Sequence, residues 1–150
     1  MKRAKFLWPL SQGHHHGLVG AKNIRERLKL NPGDLLLAGE VRDFQAVDLE
    51  PHFKAEEELM DFLEKRWGPQ DADLIRTRKD HDDLRTWAVS GKPTALALFA
   101  ERLTEHIQYE EEILFARFEG ALSAEEAETR GLRFKDCASP NPRIPAAPKR

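Results

Sequence analysis

The chain has 150 residues, 40% of them hydrophobic, and carries 24 Lys plus Arg against 26 Asp plus Glu. One domain of this length can bury a core without covalent cross-links, and the single cysteine, Cys137, excludes an internal disulfide framework. The near balance of charge excludes a strongly basic surface, so we expect no nucleic-acid or membrane partner. The lone thiol and the short apolar stretch before Pro9 predict a cytoplasmic protein.

Helix-forming residues dominate the sequence, and no segment alternates apolar and polar residues for long, so the predicted fold class is all-α. Ser11 is expected to cap the first helix and Asp34 the second. Pro51 lies inside the second helix and lacks the N–H donor of a helical bond, which predicts a kink or bulge beside His52. The predicted helices are 11–30, 34–67, 71–89, 93–119 and 123–130.

The four longer helices are joined by short connections, which are typical of antiparallel neighbours. We therefore predict one domain over residues 1–137, an up-down-up-down antiparallel four-helix bundle with a short C-terminal helix. Residues 138–150 are rich in proline and poor in large apolar side chains, so they are predicted to form a disordered tail.

Two segments, in the second and fourth helices, share the pattern Leu-x-x-His-x-x-x-Glu-Glu-Glu. It places His52 four residues before Glu56, and His106 four residues before Glu110. Residues four apart lie on one helix face, and apolar residues continue each face, so both pairs are predicted to point inward. A single pair of this kind is more often a surface hydrogen bond. Two pairs in the same register favour a metal site, because buried imidazoles and carboxylates need a compensating charge.

The first and third helices each contain one further histidine that is predicted to face the metal site. His81 lies on the inward face of the third helix, and aligning the first helix with the third pairs His15 with His81. His14 and His16 then lie about 100° to either side of His15 and are predicted to be rim or solvent positions. A solvated surface role and, for the triplet, an expression tag are the competing interpretations.

The pattern supplies two histidines and one carboxylate to each of two ions, with both carboxylates bridging at a separation of roughly 3.5–4 Å. Mixed nitrogen and oxygen ligation suits iron or manganese, and the lack of paired cysteines argues against structural zinc. We predict two iron ions, Fe2+ or Fe3+, with an oxo or hydroxo bridge, in preference to manganese or zinc. The six predicted ligands are His15, His52, Glu56, His81, His106 and Glu110.

These motifs resemble the bacterial hemerythrin-like, or HHE cation-binding, domain. The resemblance lies in the segment 9–18 with its three histidines, in the two His-x-x-x-Glu-Glu-Glu segments and in the Asp80-His81-x-x-Leu84-Arg85 segment, and it covers about residues 9–119. It implies an up-down-up-down bundle with a non-haem di-iron centre. It also implies activities that include oxygen or nitric oxide binding, iron sensing and stress response.

The sequence departs from the oxygen-carrying members of that family at two points. Those members have a second histidine four residues from the one on the third helix, where this chain has Thr77 on one side and Arg85 on the other. They end with His-x-x-x-x-Asp, where this chain has His-x-x-x-Glu. Fewer histidines leave coordination positions for water, for an exogenous ligand or for a further carboxylate such as Glu57 or Glu111.

Three functions are compatible with the pattern. The first is a module that binds or senses oxygen, nitric oxide, peroxide or iron. The second is a di-iron oxidase or peroxidase, in which Tyr109 would relay an electron, although packing is its expected role. The third is a metal-free structural bundle whose polar layer pairs with Arg25 and Arg85. The remaining glutamates of the two triplets are expected to form a solvated face, and the sequence identifies no protein partner.

Overall fold

A computed structural model describes residues 3–137 and 144–148, and every regular element in these two ranges is helical, which confirms the predicted all-α class. No helix in these ranges is long and apolar enough to cross a membrane. The elements are a 3-10 turn Lys5–Leu7, α1 Trp8–Leu30, α2 Leu37–Asp43, a first π segment Phe44–Leu49, α3 Glu50–Trp67, α4 Ala72–Ser90, α5 Pro93–Tyr109, a second π segment Glu110–Leu114, α6 Phe115–Ala121, α7 Ala124–Gly131 and a 3-10 turn Leu132–Cys137.

Helices α4 and α7 begin with side-chain caps, at the residues where the third and fifth helices were predicted to start. The Asp71 carboxylate accepts hydrogen bonds from the backbone N–H groups of Asp73 and Leu74 at 3.0 and 3.1 Å, so α4 begins where a side-chain acceptor satisfies its first free donors. At its other end Gly91 adopts φ +75°, the left-handed conformation that glycine accepts without a steric penalty. Ser123 forms a complete capping box at the start of α7.

The predictions for Ser11 and Asp34 are wrong. Helix α1 begins at Trp8, three residues earlier, because Pro9 fits the first turn, where its missing N–H has no helical acceptor. The Ser11 hydroxyl lies within the helix and donates to Glu111 at 2.8 Å. The Asp34 carboxylate accepts from the backbone N–H of Leu36, in the turn that precedes α2.

The helical path from 37 to 67 contains a bulge just before Pro51, as predicted. The first π segment ends at Leu49, and Pro51 occupies the first turn of α3. A π segment widens the helix by one residue per turn, so a proline that cannot donate a hydrogen bond is accommodated. The second π segment, which begins at Glu110, was not predicted, since no proline marks it.

The core consists of two apolar clusters. Helices α1 and α4 both pack on α5, while α2 and α3 contact α4. The Phe44 cluster includes Ile24, Phe53 and Leu103, and the Phe115 cluster includes Leu10, Leu59 and Leu74. Between the clusters lie buried polar side chains, which form the candidate site described below.

Glycines on α1 set how closely this helix approaches its neighbours. A Cβ atom at Gly17 would lie 2.8 Å from Cδ1 of Ile107, and one at Gly20 would lie 3.0 Å from Cζ of Phe44. Both distances are shorter than normal van der Waals contact, so the absent side chains allow α1 to lie against α5 and the first π segment.

Part of the predicted disordered tail is packed against α1. Residues 138–143 and 149–150 lie outside the described residues, but 144–148 are described. Ile144 is fully buried in the Phe44 cluster, and its carbonyl accepts a hydrogen bond from Asn23 at 2.8 Å. This differs from the prediction, because composition averages over the segment whereas one apolar side chain that fits the core is enough to dock it.

We expect Ile144→Ala to lower the free energy of unfolding by about 2 to 5 kcal/mol, the usual cost of truncating a buried aliphatic side chain. Urea unfolding followed by circular dichroism measures this change. Leu35→Ala is the control, because Leu35 is 95% exposed and its truncation should have little effect. Equal effects of the two substitutions would show that the tail does not dock.

Candidate metal centre

Five of the six predicted ligands meet inside the protein. They lie between the two apolar clusters, and none is more than 4% exposed. Helix α3 supplies two of them, α4 one and α5 one, while the second π segment begins with the fifth. These five residues are His52, Glu56, His81, His106 and Glu110.

The sixth prediction, His15, is wrong. His15 is exposed, whereas His14 is 5% exposed and joins the other five. The inward face of α1 contains Leu10, His14 and Gly17 at helical spacing, and His15 is rotated from it by about 100°. Leu10, His14 and Gly17 follow the helical period, but only the tertiary contact of Gly17 with Ile107 shows that this face is the inward one. We call the six buried residues the polar layer: His14, His52, Glu56, His81, His106 and Glu110.

The polar layer forms two adjacent groups of potential ligand atoms. The first donor set comprises His14, His52, Glu56 and Glu110, and the second comprises Glu56, His81, His106 and Glu110. In each set one nitrogen or oxygen atom from every member lies within 4.8 Å of the others. Both glutamates belong to both sets, so the two groups share a pair of carboxylates.

The shared carboxylates have one oxygen atom toward each donor set. Glu56 Oε2 lies 3.2 Å from Nε2 of His52, and Glu56 Oε1 lies 3.1 Å from Nε2 of His81. Glu110 has the same arrangement, with Oε2 3.7 Å from Nε2 of His14 and Oε1 in close contact with Nε2 of His106. A carboxylate that bridges two metal ions needs this geometry.

Although several of these atoms lie close to one another, six of them form no hydrogen bond of acceptable geometry. They are Nε2 of His14, His81 and His106, Oε1 of Glu56 and both carboxylate oxygens of Glu110. Buried polar atoms without partners are rare because each costs free energy. A pair of cations would satisfy all six, and nitrogen and oxygen donors of this kind suit iron or manganese. The residues therefore fit the metals that the sequence predicts.

A second ring of carboxylates stands behind three of the imidazoles. Glu111 lies 2.7 Å from Nδ1 of His14, and Glu57 lies 2.8 Å from Nδ1 of His81. Each contact fixes the ring so that Nε2 faces the centre, which is how metal-binding histidines are usually held. Glu57 and Glu111 are thus partly buried against histidines and do not form the predicted solvated face, whereas their direct coordination of an ion stays a prediction. Their signal was their position, one residue after each shared glutamate.

His106 has an equivalent partner in Asp80, which lies 3.1 Å from its Nδ1. The outer carboxylates are paired in turn with arginines, because Arg102 donates to Asp80 at 3.2 Å and Arg85 donates to Glu57 at 2.9 Å. Arg85 thus contacts the outer ring and not the polar layer, contrary to the structural hypothesis.

Aromatic faces hold two of the histidine rings. His81 is stacked on Phe53, with ring centroids 3.9 Å apart and planes inclined by 8°. His14 is stacked on Phe115 at 5.1 Å and 13°. Both phenylalanines belong to the apolar clusters, so core packing and site geometry depend on the same side chains.

Without a metal ion, the charges of the buried histidines and glutamates compensate one another only in part. Burial lowers the pKa of His52 and raises that of Glu56, to which the negative charge of Glu110 adds. Burial alone would lower the pKa of His106, but the negative charge of Glu110 and the hydrogen bond with Asp80 outweigh this effect and raise the pKa to about 9. At neutral pH a proton on His106 thus offsets part of the negative charge of the layer, and burial also favours the protonated form of Glu56. Bound cations would take over this role.

A small cavity adjoins the polar layer on the side of the Phe44 cluster. Its volume is about 10 Å³, which is room for roughly one water molecule. Four metal-facing side chains contribute to its wall, and the remainder is apolar apart from one glycine. The lining residues are Gly13, His14, Leu49, His52, Phe53, Leu103, His106, Ile107 and Glu110. A groove of about 550 Å³ near Phe6 and Leu132 includes no residue of the layer.

Tyr109 is buried but takes no part in the layer. Its hydroxyl donates to Asp73, which also binds Arg117. This contact agrees with the packing role that helix geometry predicts for Tyr109.

Comparisons of this chain with protein-family models, with curated proteins and with solved structures found no match. The resemblance to the hemerythrin-like domain therefore stays a prediction from the motif residues.

We expect His14→Ala to reduce the amount of metal that co-purifies with the protein, because it removes a donor from the first set. His15→Ala is the matched control and should retain the wild-type content, since its side chain is exposed. Elemental analysis of both variants, purified after growth with added iron, shows which of the two histidines the metal content depends on. Loss of metal from His15→Ala alone would restore the original prediction.

Glu57→Ala should weaken metal binding by roughly 10- to 100-fold, the usual effect of removing a carboxylate behind a metal-bound histidine. Glu58→Ala is the control, because that side chain is 54% exposed and lies 3.7 Å from Arg133. Competition with a chelator of known affinity gives both dissociation constants. Equal constants would mean that Glu57 does not orient His81.

Proposed function

We propose that this chain is a non-haem di-iron protein that binds or senses a small ligand, either oxygen, nitric oxide or peroxide, or that senses iron itself. The observation that carries the proposal is the pair of donor sets that share Glu56 and Glu110 and contain six buried atoms with no hydrogen bond of acceptable geometry. With it we propose membership of the hemerythrin-like family, an antiparallel four-helix bundle and a cytoplasmic location.

Two ions are favoured over one by the direction of the carboxylate oxygens. Each shared glutamate has one oxygen near a histidine of each set, with separations of 3.2 and 3.1 Å at Glu56. A single ion would use one set and leave the histidines of the other buried without compensation. Two ions about 3.5–4 Å apart would use every unpaired atom of the layer.

Iron is favoured by the kind and number of donors. Each set combines two histidines with two carboxylates. Sites with two histidines and carboxylate ligation that keep open positions are typical of non-haem iron. Bound iron would supply reversible ligand binding and one-electron chemistry that none of these side chains has alone.

A small ligand is favoured by the size of the cavity. Its volume of about 10 Å³ admits one water-sized molecule, so an organic substrate does not fit beside the layer. The apolar part of its wall, which includes Leu49, Leu103 and Ile107, suits a neutral diatomic ligand.

The alternative functions are less well supported. A peroxidase remains compatible with the cavity, since peroxide is small, but Tyr109 is bound to Asp73 and not to the layer. A metal-free structural role would require hydrogen bonds among the buried atoms, and six of them form none of acceptable geometry. Steady consumption of peroxide with an added reductant would favour the enzyme over the binding module.

Protein from iron-supplemented cells should contain about two irons per chain and absorb in the near ultraviolet. Removing the iron with a chelator should lower Tm by roughly 10 °C or more, because a tightly bound ligand stabilises only the folded state. Calorimetry with and without chelator measures the shift. The double variant His52→Ala, His106→Ala is the control, and its Tm should not respond. A colourless wild-type protein whose Tm is unaffected would refute the proposal.

A further inference from the structure

Thr77 is a buried hydroxyl on the inward face of α4. The face contains Leu74, Thr77, His81, Leu84 and Ala88, at steps of three and four residues. Thr77 is fully buried, and its Oγ1 has no hydrogen-bond partner. A hydroxyl in such a position loses its contacts with water and gains none in return.

Two other helical threonines show what a hydroxyl usually does in this fold. Thr86, also on α4, donates to the carbonyl of Asp82 at 2.9 Å, and Thr104 on α5 donates to the carbonyl of Ala100 at 3.0 Å. Both use the carbonyl four residues earlier, an acceptor that a helix offers to any threonine in its interior. Thr77 does not use it, so its hydroxyl is free for another partner.

The partner would lie beside the second donor set. Thr77 precedes His81 by four residues, and side chains at this spacing are neighbours on a helix surface. His81 Nε2 and Glu56 Oε1 belong to that set and lie 3.1 Å apart, but neither forms a hydrogen bond of acceptable geometry. Leu74, one turn before Thr77, belongs to the Phe115 cluster, whereas the cavity described above is lined by residues of the Phe44 cluster and does not include Thr77.

We propose that Thr77 is the polar contact of a second exchangeable ligand position, on the ion that His81 and His106 would hold. The ligand is water, hydroxide or a small anion, which the Thr77 hydroxyl contacts by a hydrogen bond. This inference rests on the proposed function. It adds that exchangeable ligands bind on both sides of the polar layer, in an apolar cavity on one side and against a hydroxyl on the other.

Azide binding to the iron-loaded protein tests the inference. Thr77→Val keeps the shape of the side chain and removes the hydroxyl, so it should weaken the binding of one azide per chain by about tenfold, within the range for a hydrogen bond to a charged group. Thr77→Ser retains a hydroxyl and should preserve most of the affinity. Thr86→Val is the matched control on the same helix and should bind azide like the wild type.

A purely structural role for Thr77 would give a different result. The iron-free Thr77→Val protein should melt at the same temperature as the wild type or higher, because the hydroxyl that it loses has no partner. A lower melting temperature with unchanged azide affinity would therefore overturn the inference.

The failures of the two proposals are distinguishable. A wild-type protein that binds no iron overturns both. Iron binding with equal azide affinity in wild type and Thr77→Val overturns only the role of Thr77. If Thr77→Val loses iron but the iron that remains binds azide with the wild-type affinity, the role of Thr77 is also overturned. The hydroxyl would then stabilise the bound ions and not their ligand.

Discussion

The burial of two carboxylates and four imidazoles between two apolar clusters is the constraint on which the rest of the structure depends. Moving one carboxylate into dry protein has an idealised cost of order 20 kcal/mol, and the effective cost in real proteins is still several kcal/mol. An exposed ion pair contributes only about 0 to 1 kcal/mol. The numerous ion pairs of the surface therefore cannot offset an uncompensated layer. Glu56 and Glu110 are fully buried, so their compensation has to come from within the layer, by protons or by cations.

The charges are arranged in shells around that layer. Imidazole and carboxylate atoms face the centre, Glu57, Asp80 and Glu111 hold the outer nitrogens of three histidines, and arginines such as Arg85 pair with those carboxylates near the surface. Each shell orients the one inside it. The hydrogen bond from His81, and after it the one from Arg85, lower the pKa of Glu57 to about 2 in spite of its partial burial, so this outer carboxylate stays ionised at neutral pH.

Both π segments lie next to residues of the layer. The first ends three residues before His52, and the second begins with Glu110. A π segment costs hydrogen-bond quality and is frequent at functional sites. Phe53 and Phe115, which belong to the two apolar clusters, also stack on histidines of the layer. Core packing and site geometry are thus stabilised by the same contacts.

The sequence alone determined the all-α class, the bulge before Pro51 and five of the six residues of the layer, because helical periodicity and proline chemistry act over a few neighbouring residues. It did not determine which histidine of the triplet points inward, because that depends on how far α1 is rotated as Gly17 and Gly20 pack against other helices. Nor did it predict the carboxylates behind the histidines, the docking of Ile144 or the cavity. Those features join side chains that are distant along the chain, so only the tertiary structure decided them.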